Sequence, residues 1–237
     1  MPRIFCSEPL ASGMELALPA GAARHVQVLR MQPEDEITLF DGRGGEFSAR
    51  VTRMGRSDVA VTVGPHDPVE REGARQVRLA VGMPANERMD WLVEKAAELG
   101  AAAIQPLMSA RTVLRLSGDR ADKKVVHWQA VAVAACEQCG RNRVPRVEPM
   151  LTLVEWLRQL PEAASGEHRF LLSLTEGAGP LQATGSGAAL FLSGPEGGLA
   201  PQEESAALQA GFVAVRLGPQ TLRAETAPLA ALMRLLG

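Results

Sequence analysis

Two segments of this chain combine residues able to do chemistry with residues that let a backbone turn. In "LSGPEGGLAPQEE" the apolar run 190–192 breaks at Ser193 into Gly194, Pro195, Glu196, Gly197 and Gly198 before polar, helix-like sequence resumes. Glycine has no Cβ, so its amide and carbonyl can approach a bound molecule closely and its φ can turn positive. A tight helix-entry loop without a ligand would use the same residues. In "LGPQTLRAETAPLAAL", Arg223 and Glu225 stand just before a helix whose first turn takes Pro228. A charged pair there is either a salt bridge that ties the loop or part of a site, and an exposed pair by itself stabilises little.

Two further groups invite a chemical reading. Cys136 and Cys139 form a C-x-x-C, but no second pair accompanies them and the stretch before them reads as helix. Two packed thiols are therefore expected, with no metal. With Cys6 the thiols are odd in number, which fits a reducing compartment. Arg111, Arg115, Arg120, Lys123, Lys124, Arg141, Arg143 and Arg146 face only Asp119, Asp122, Glu137 and Glu148 in one central stretch. That stretch is either a surface for phosphates or a solvated helix with its flanking loops. Neither G-x-G-x-x-G nor the P-loop pattern occurs, which weakens the ordinary nucleotide readings.

The elements that must position these residues fall into two patterns. Up to about Val63, short alternating runs ("EITLFDG", "EFSARVTRMG", "DVAVTVG") with a turn at residues 41–45 predict a small β domain. "GPHDPVEREGARQ" has the composition of a linker, and the boundary is placed at Glu72, giving domains 1–72 and 73–237. Beyond it, "VRLAVGMP", "AAAIQPLMS", "HRFLLSL", "AALFLSG" and "FVAVRLG" are apolar runs of the kind buried on both faces of a parallel sheet. Between them, Met89, Leu92, Val93, Ala96 and Leu99 recur at helical spacing, with Asn86 as N-cap and Gly100 as stop. Thr152 and Glu155 have capping-box spacing, and a helix opens at Pro201 with Glu203 and Glu204 in its first turn and ends at Gly211. The second domain is thus predicted as doubly wound α/β, in which ligands sit at the carboxyl ends of strands. The loops after Leu172, Leu192 and Val215 are the ones to watch.

Length and composition bound the rest. A chain of 237 residues with 46% hydrophobic and 22% charged residues can bury proper cores and is not disordered or fibrous. No apolar run reaches the roughly 20 residues of a membrane span, and the start lacks the blocks of a signal peptide, so a cytoplasmic protein without membrane contact is expected. A net charge of -2 does not advertise nucleic acid, which leaves recognition to shape and a restricted basic surface.

Taken in order, "RHVQVLRMQPEDEITLFDG", "ERMDWLVEKAAELGAAAIQPL", "CEQCGRNRVP", "SGPEGGL" and "LGPQTLRAETAPLAAL" resemble the ribosomal RNA small subunit methyltransferase E family. The resemblance spans essentially the whole chain. It implies a SPOUT-type parallel sheet ending in a deep trefoil knot, preceded by a PUA-like β-barrel that holds RNA. It also implies methylation of N3 of the uracil at position 1498 of 16S ribosomal RNA, with S-adenosylmethionine as cofactor, by a homodimer acting on the small ribosomal subunit. True knots are nearly absent from proteins, so a chain that threads itself needs residues permitting sharp turns, and the glycine-rich loops fit that need.

Site residues follow from the same resemblance. Leu172, Leu174, Gly194, Pro195, Glu196, Gly197, Gly198, Leu217, Gly218, Leu222, Arg223 and Thr226 are expected to hold the cofactor. Arg223 is the first candidate to stabilise negative charge on the uracil carbonyls, with Glu196 or Glu225 as proton acceptor or orienting group. Glu137, Gln138, Arg141 and Asn142 look like the segment bordering the substrate pocket, with Arg141 a catalytic candidate reaching the partner subunit's cofactor. Arg24, His25, Arg30, Arg88, Arg141 and Asn142 are the RNA-contact candidates. Ala85 and Gln220 stand where relatives often carry cations and Cys139 where serine is frequent, which weakens the RNA inference more than the cofactor inference. The rival readings are a SPOUT enzyme acting on another RNA and a non-enzymatic RNA-binding protein.

Overall fold

The computed structural model describes residues 1–85, 87–182 and 185–236. The chain divides into two compact units: Met1–Glu72 together with Val133–Val144, and Gly73–Ala132 together with the chain from Pro145 onward. The first unit carries β1 (Arg3–Phe5), β2 (Glu15–Ala17), α1 (Ala20–Val28), β3 (Glu36–Phe40), β4 (Glu46–Met54) and β5 (Val59–Asp67). Among the described residues its strands form a five-stranded sheet in the order β1-β3-β4-β5-β2, parallel at β1–β3 and antiparallel elsewhere. The ladder runs from β1 on one side to β2 on the other. Ile4, Val26, Ile37, Leu39, Val51, Val59 and Val61 are fully buried in its core.

Local chemistry shifts two boundaries in this unit. Residues 64–67, read as the start of a linker, continue β5, because Asp67 and His66 pair with Glu46 and Phe47 and the His66 and Phe47 rings meet at 4.7 Å. The stretch with Arg24 and His25 folds as α1, burying Ala23 and Val26 at a three-residue spacing that the strand reading passed over.

The second unit carries β6 (Val77–Gly82), α2 (Arg88–Glu98), β7 (Ala103–Met108), the start of α3 (Asp119–Cys139), β8 (Arg146–Val147), β9 (Leu151–Thr152) and α4 (Leu153–Gln159). It continues with β10 (His168–Leu172), β11 (Gly179–Pro180), β12 (Ala189–Ser193), α5 (Pro201–Gln209), β13 (Val213–Arg216) and α6 (Thr226–Leu236). Among the described residues the sheet runs β11-β13-β10-β12-β6-β7-β8, with β9 on β7, and every pairing is parallel. Parallel sheets need cover on both faces, and β12 is buried along its whole length, which is why its sequence lacks polar alternation. The α2 stripe of Met89, Leu92, Val93 and Ala96 is fully buried as its spacing required. Asn86, the expected cap, lies outside the described residues, and Glu87 occupies the cap position.

Two helix starts are built as their sequences read. Thr152 Oγ1 accepts the Glu155 N–H at 3.2 Å while Glu155 accepts the Thr152 N–H, also at 3.2 Å. At α5 the Glu203 carboxylate accepts the Ala200 N–H at 2.9 Å and the Ala110 N–H at 2.7 Å, which ties the loop after β7 to that helix start. Among the described residues no helix is long and apolar enough to cross a membrane.

Candidate cofactor site

β13, β10 and β12 are neighbours in the sheet, so the loops leaving their carboxyl ends converge although they lie far apart in sequence. Together they line a cavity of about 570 Å³. The β10 loop contributes Leu172, Ser173, Leu174 and Thr175; the β12 loop contributes residues 193–199; the β13 loop contributes Leu217, Gln220, Thr221 and Leu222. Val215 and Arg216 from β13, Pro201 and Glu204 from the first turn of α5, Ala227 from α6, and Ala224 and Arg111 complete the lining.

The glycines of the β12 loop are first of all what lets it fold on itself. A Cβ on Gly194 would lie 2.8 Å from the main chain of Gly198 and Leu199, and Gly198 sits at φ +69°. The Gly198 N–H donates to Pro195 O at 2.8 Å and closes the turn, over which Arg111 Nη1 reaches Gly197 O at 2.7 Å. The loop is fixed from the other side by Glu196, whose Oε1 accepts the Ala85 N–H at 2.9 Å and Arg88 Nη1 at 3.3 Å. The Ala85 contact uses the main chain, so it does not depend on the side chain at that position.

Of the residues expected to hold a cofactor, Leu172, Leu174, Gly194, Pro195, Glu196, Gly197, Gly198, Leu217 and Leu222 line the cavity, whereas Gly218, Arg223 and Thr226 do not. Arg223 is exposed, and its carbonyl accepts the Thr226 and Ala227 N–H groups that start α6. Glu225 is buried, with its Oε1 3.9 Å from Arg88 Nε. Sequence reasoning missed Ser173, Thr175, Ser193 and Glu204, which the strand-end rule would have found or bracketed, and Arg111, which only spatial proximity brings to the loop.

The lining suits an adenosine-like molecule with a polar tail. Leucines and Val215 supply apolar walls, while Ser173, Thr175 and Glu204 form a hydrogen-bonded polar edge, with Ser173 Oγ 2.8 Å from Thr175 Oγ1 and 3.3 Å from a Glu204 oxygen. Ser193 is buried at the strand end and its Oγ has no hydrogen-bond partner among the described residues, a cost that a ligand's polar atom would relieve.

The "CEQCGR" segment has a different setting. Arg141 is buried and pairs with Glu72 through Nη2 at 2.6 Å and Nε at 2.9 Å. Asn142 is fully buried, accepting from Arg3 at 2.6 Å and donating to Val69 O at 2.8 Å, and Glu137 accepts the Phe5 N–H at 2.9 Å. All these partners belong to the first unit, and none of the segment lines the cavity. Within this chain Arg141 is thus tied to Glu72, and Asn142 to Arg3 and Val69, and breaking the Arg141–Glu72 pair would strand two largely buried charges. Cys136 is buried too; its hydrogen bond with Cys139 and its burial push its thiol far above the thiolate range. Arg24, His25 and Arg30 are exposed on and just after α1.

The class of protein follows from comparison with known families. Residues 71–236 match the family described as RNA methyltransferase domain, and residues 18–64 match RNA methyltransferase PUA domain. A ribosomal RNA small subunit methyltransferase E from Neisseria gonorrhoeae, solved bound to S-adenosyl methionine, superposes with a TM-score of 0.91 at 40% identity, covering 98% of this chain and 96% of that one. A methyltransferase from Legionella pneumophila in complex with SAM gives a TM-score of 0.90 at 32% identity over 98% and 96% of the two chains. The Bacillus subtilis ribosomal RNA small subunit methyltransferase E is 32% identical over 87% of this chain and 83% of its own length. The chain belongs to the ribosomal RNA small subunit methyltransferase E family.

Proposed function

We propose that this protein methylates N3 of the uracil at position 1498 of 16S ribosomal RNA, on the small ribosomal subunit, using S-adenosylmethionine. The observation that carries the reading is the convergence of the β10, β12 and β13 loops on one cavity, in a chain whose relatives include methyltransferases solved with that cofactor. Leu172, Leu174, the main chain of residues 194–198, Leu217 and Leu222 would hold the cofactor, with Ser193 and Glu204 as polar contacts. When bound, S-adenosylmethionine supplies a methyl group on a sulfonium; the protein supplies position and electrostatics.

The imino N–H of uracil is weakly acidic, and its nitrogen attacks well only as that proton leaves. Negative charge then spreads onto the flanking carbonyl oxygens, where a guanidinium lowers the barrier. Arg223 is one candidate for this role, with Glu196 or Glu225 receiving the proton or orienting the cation. The three converging loops are the segments that would form the trefoil knot of a SPOUT enzyme. Arg24, His25 and Arg30 supply the RNA-holding surface of the PUA-like unit, and the working form is a cytoplasmic homodimer.

The test joins calorimetric titration with S-adenosylmethionine to transfer of labelled methyl onto small subunits lacking modification at that uridine. Binding with transfer to N3 of the one uridine is the expected result. Binding without transfer there would redirect the enzyme to another RNA, and absence of binding would overturn the reading.

A further inference from the structure

Glu196 lines not only the cofactor cavity but also a second one, of about 850 Å³, that Arg88 and Lys124 share. Arg88, at the first position of α2, sits between two carboxylates from two different loops: its Nη1 is 3.3 Å from Glu196 Oε1 and its Nε 3.9 Å from Glu225 Oε1. The Glu225 side chain is 9% exposed, and its Oε2 has no hydrogen-bond partner among the described residues. Glu196 is exposed, so Glu225 is a second carboxylate, this one buried, beyond what one guanidinium needs for neutralisation, and its unsatisfied buried oxygen is destabilising. The arrangement makes sense as a device that fixes the orientation of Arg88. The Arg88 side chain itself is 44% exposed, and a guanidinium has five N–H donors. With Nε and Nη1 directed at carboxylates, donors remain for a ligand in the cavity that Arg88 lines.

We propose that Glu225 is a positioning residue for Arg88, and that Arg88 is the guanidinium presented to the carbonyl oxygens of the target base as negative charge builds on them. This rests on the methyl-transfer reading above. Lys124 lines the same cavity, but an ammonium on a flexible stem is a mobile, strongly hydrated charge, whereas a guanidinium held by carboxylates is oriented before substrate arrives. An imide nitrogen is flanked by two carbonyl oxygens, so a role for Arg88 leaves room for one by Arg223.

The experiment compares full-length parent, Arg88→Ala, Arg88→Lys, Glu225→Gln and the double variant Arg88→Ala/Glu225→Gln. Methyl transfer to unmodified small subunits is read as kcat and KM, beside calorimetric affinity for S-adenosylmethionine and the melting temperature. Arg88→Ala lowers kcat by at least about tenfold with cofactor affinity within about twofold, and Arg88→Lys restores only part of the loss. Glu225→Gln lowers kcat in the parent but adds nothing in the Arg88→Ala background, since a residue acting through another has no effect once that other is gone. Parent-like kcat in Arg88→Ala overturns the proposal. So does a Glu225→Gln penalty of equal size in both backgrounds, and so does a loss explained by lower melting temperature and weaker cofactor binding. If the parent modifies a different position, the substrate assignment fails and the same comparison at that position decides the role of Arg88; a parent that transfers to no RNA overturns both.

Discussion

In the first unit, Glu46 is the carboxylate on which two arginines meet: Arg3 Nη1 at 2.5 Å and Arg71 Nη1 at 2.8 Å, with the Glu46 side chain only 16% exposed. The Arg71 hydrogen bond, opposed by burial and reinforced by Arg3, lowers its pKa from 4.5 to about 2. At about 1.4 kcal/mol for each tenfold change in proton affinity, that fall corresponds to on the order of 3 kcal/mol of folding stability at neutral pH. The sign follows from linkage. A depressed folded pKa favours the folded state wherever the group is ionised in the unfolded chain, so the contribution is complete above about pH 5 and drains away as pH falls from about 4.5 towards 2. Glu46→Gln keeps an acceptor but removes the charge, and is expected to cost the first unit about 1–3 kcal/mol at pH 7, with parent and variant converging near pH 2. Trp91, Trp128 and Trp156 all lie in the second unit, so tryptophan fluorescence does not report this change. Hydrogen exchange of β3 and β4 amides at pH 7, with urea unfolding followed by far-ultraviolet circular dichroism at pH 7, 4 and 2.5, does. Equal protection at pH 7, or a deficit that persists unchanged to pH 2.5, would refute the electrostatic account.

Four other outcomes are expected. Gly194→Ala places a methyl against the main chain of residues 198 and 199 and is expected to weaken S-adenosylmethionine binding by at least about tenfold in calorimetry, because the loop that lines the cavity must open to accept it. Arg141→Ala leaves Glu72 buried without this partner and is expected to destabilise the first unit by about 3–5 kcal/mol, measured by hydrogen exchange of β5 amides, while the affinity of the second unit for cofactor holds. Arg223→Ala is expected to lower turnover at least about tenfold with cofactor affinity little changed; equal turnover would remove it from the reaction. Replacing Arg24 and Arg30 by alanine is expected to weaken RNA binding and flatten its dependence on salt by about one unit of log slope for each phosphate no longer neutralised, which filter binding at several salt concentrations would read.

Features that depend on near neighbours along the chain could be read from the amino acids in order. The apolar runs that became β6, β7, β10, β12 and β13, the Met89–Leu92–Val93–Ala96 stripe, and the capping box at Thr152 and Glu155 are local, because strand and helix periodicity and cap geometry act over a few residues. The glycine-rich loop was legible as a special strand-end turn for the same reason, whereas its part in holding a cofactor was implied only by the family resemblance. Side chains whose partners are distant took their roles from the folded molecule. Arg141 read as a substrate-side cation at a helix end, and its pairing with Glu72 came only from the fold; Arg88 read as an RNA-contact candidate, and loops more than a hundred residues away brought Glu196 and Glu225 to it. A charge in a sequence has no fixed meaning, because its desolvation and its partners are set by the fold; an apolar period has one, because burial of that face is what folding requires.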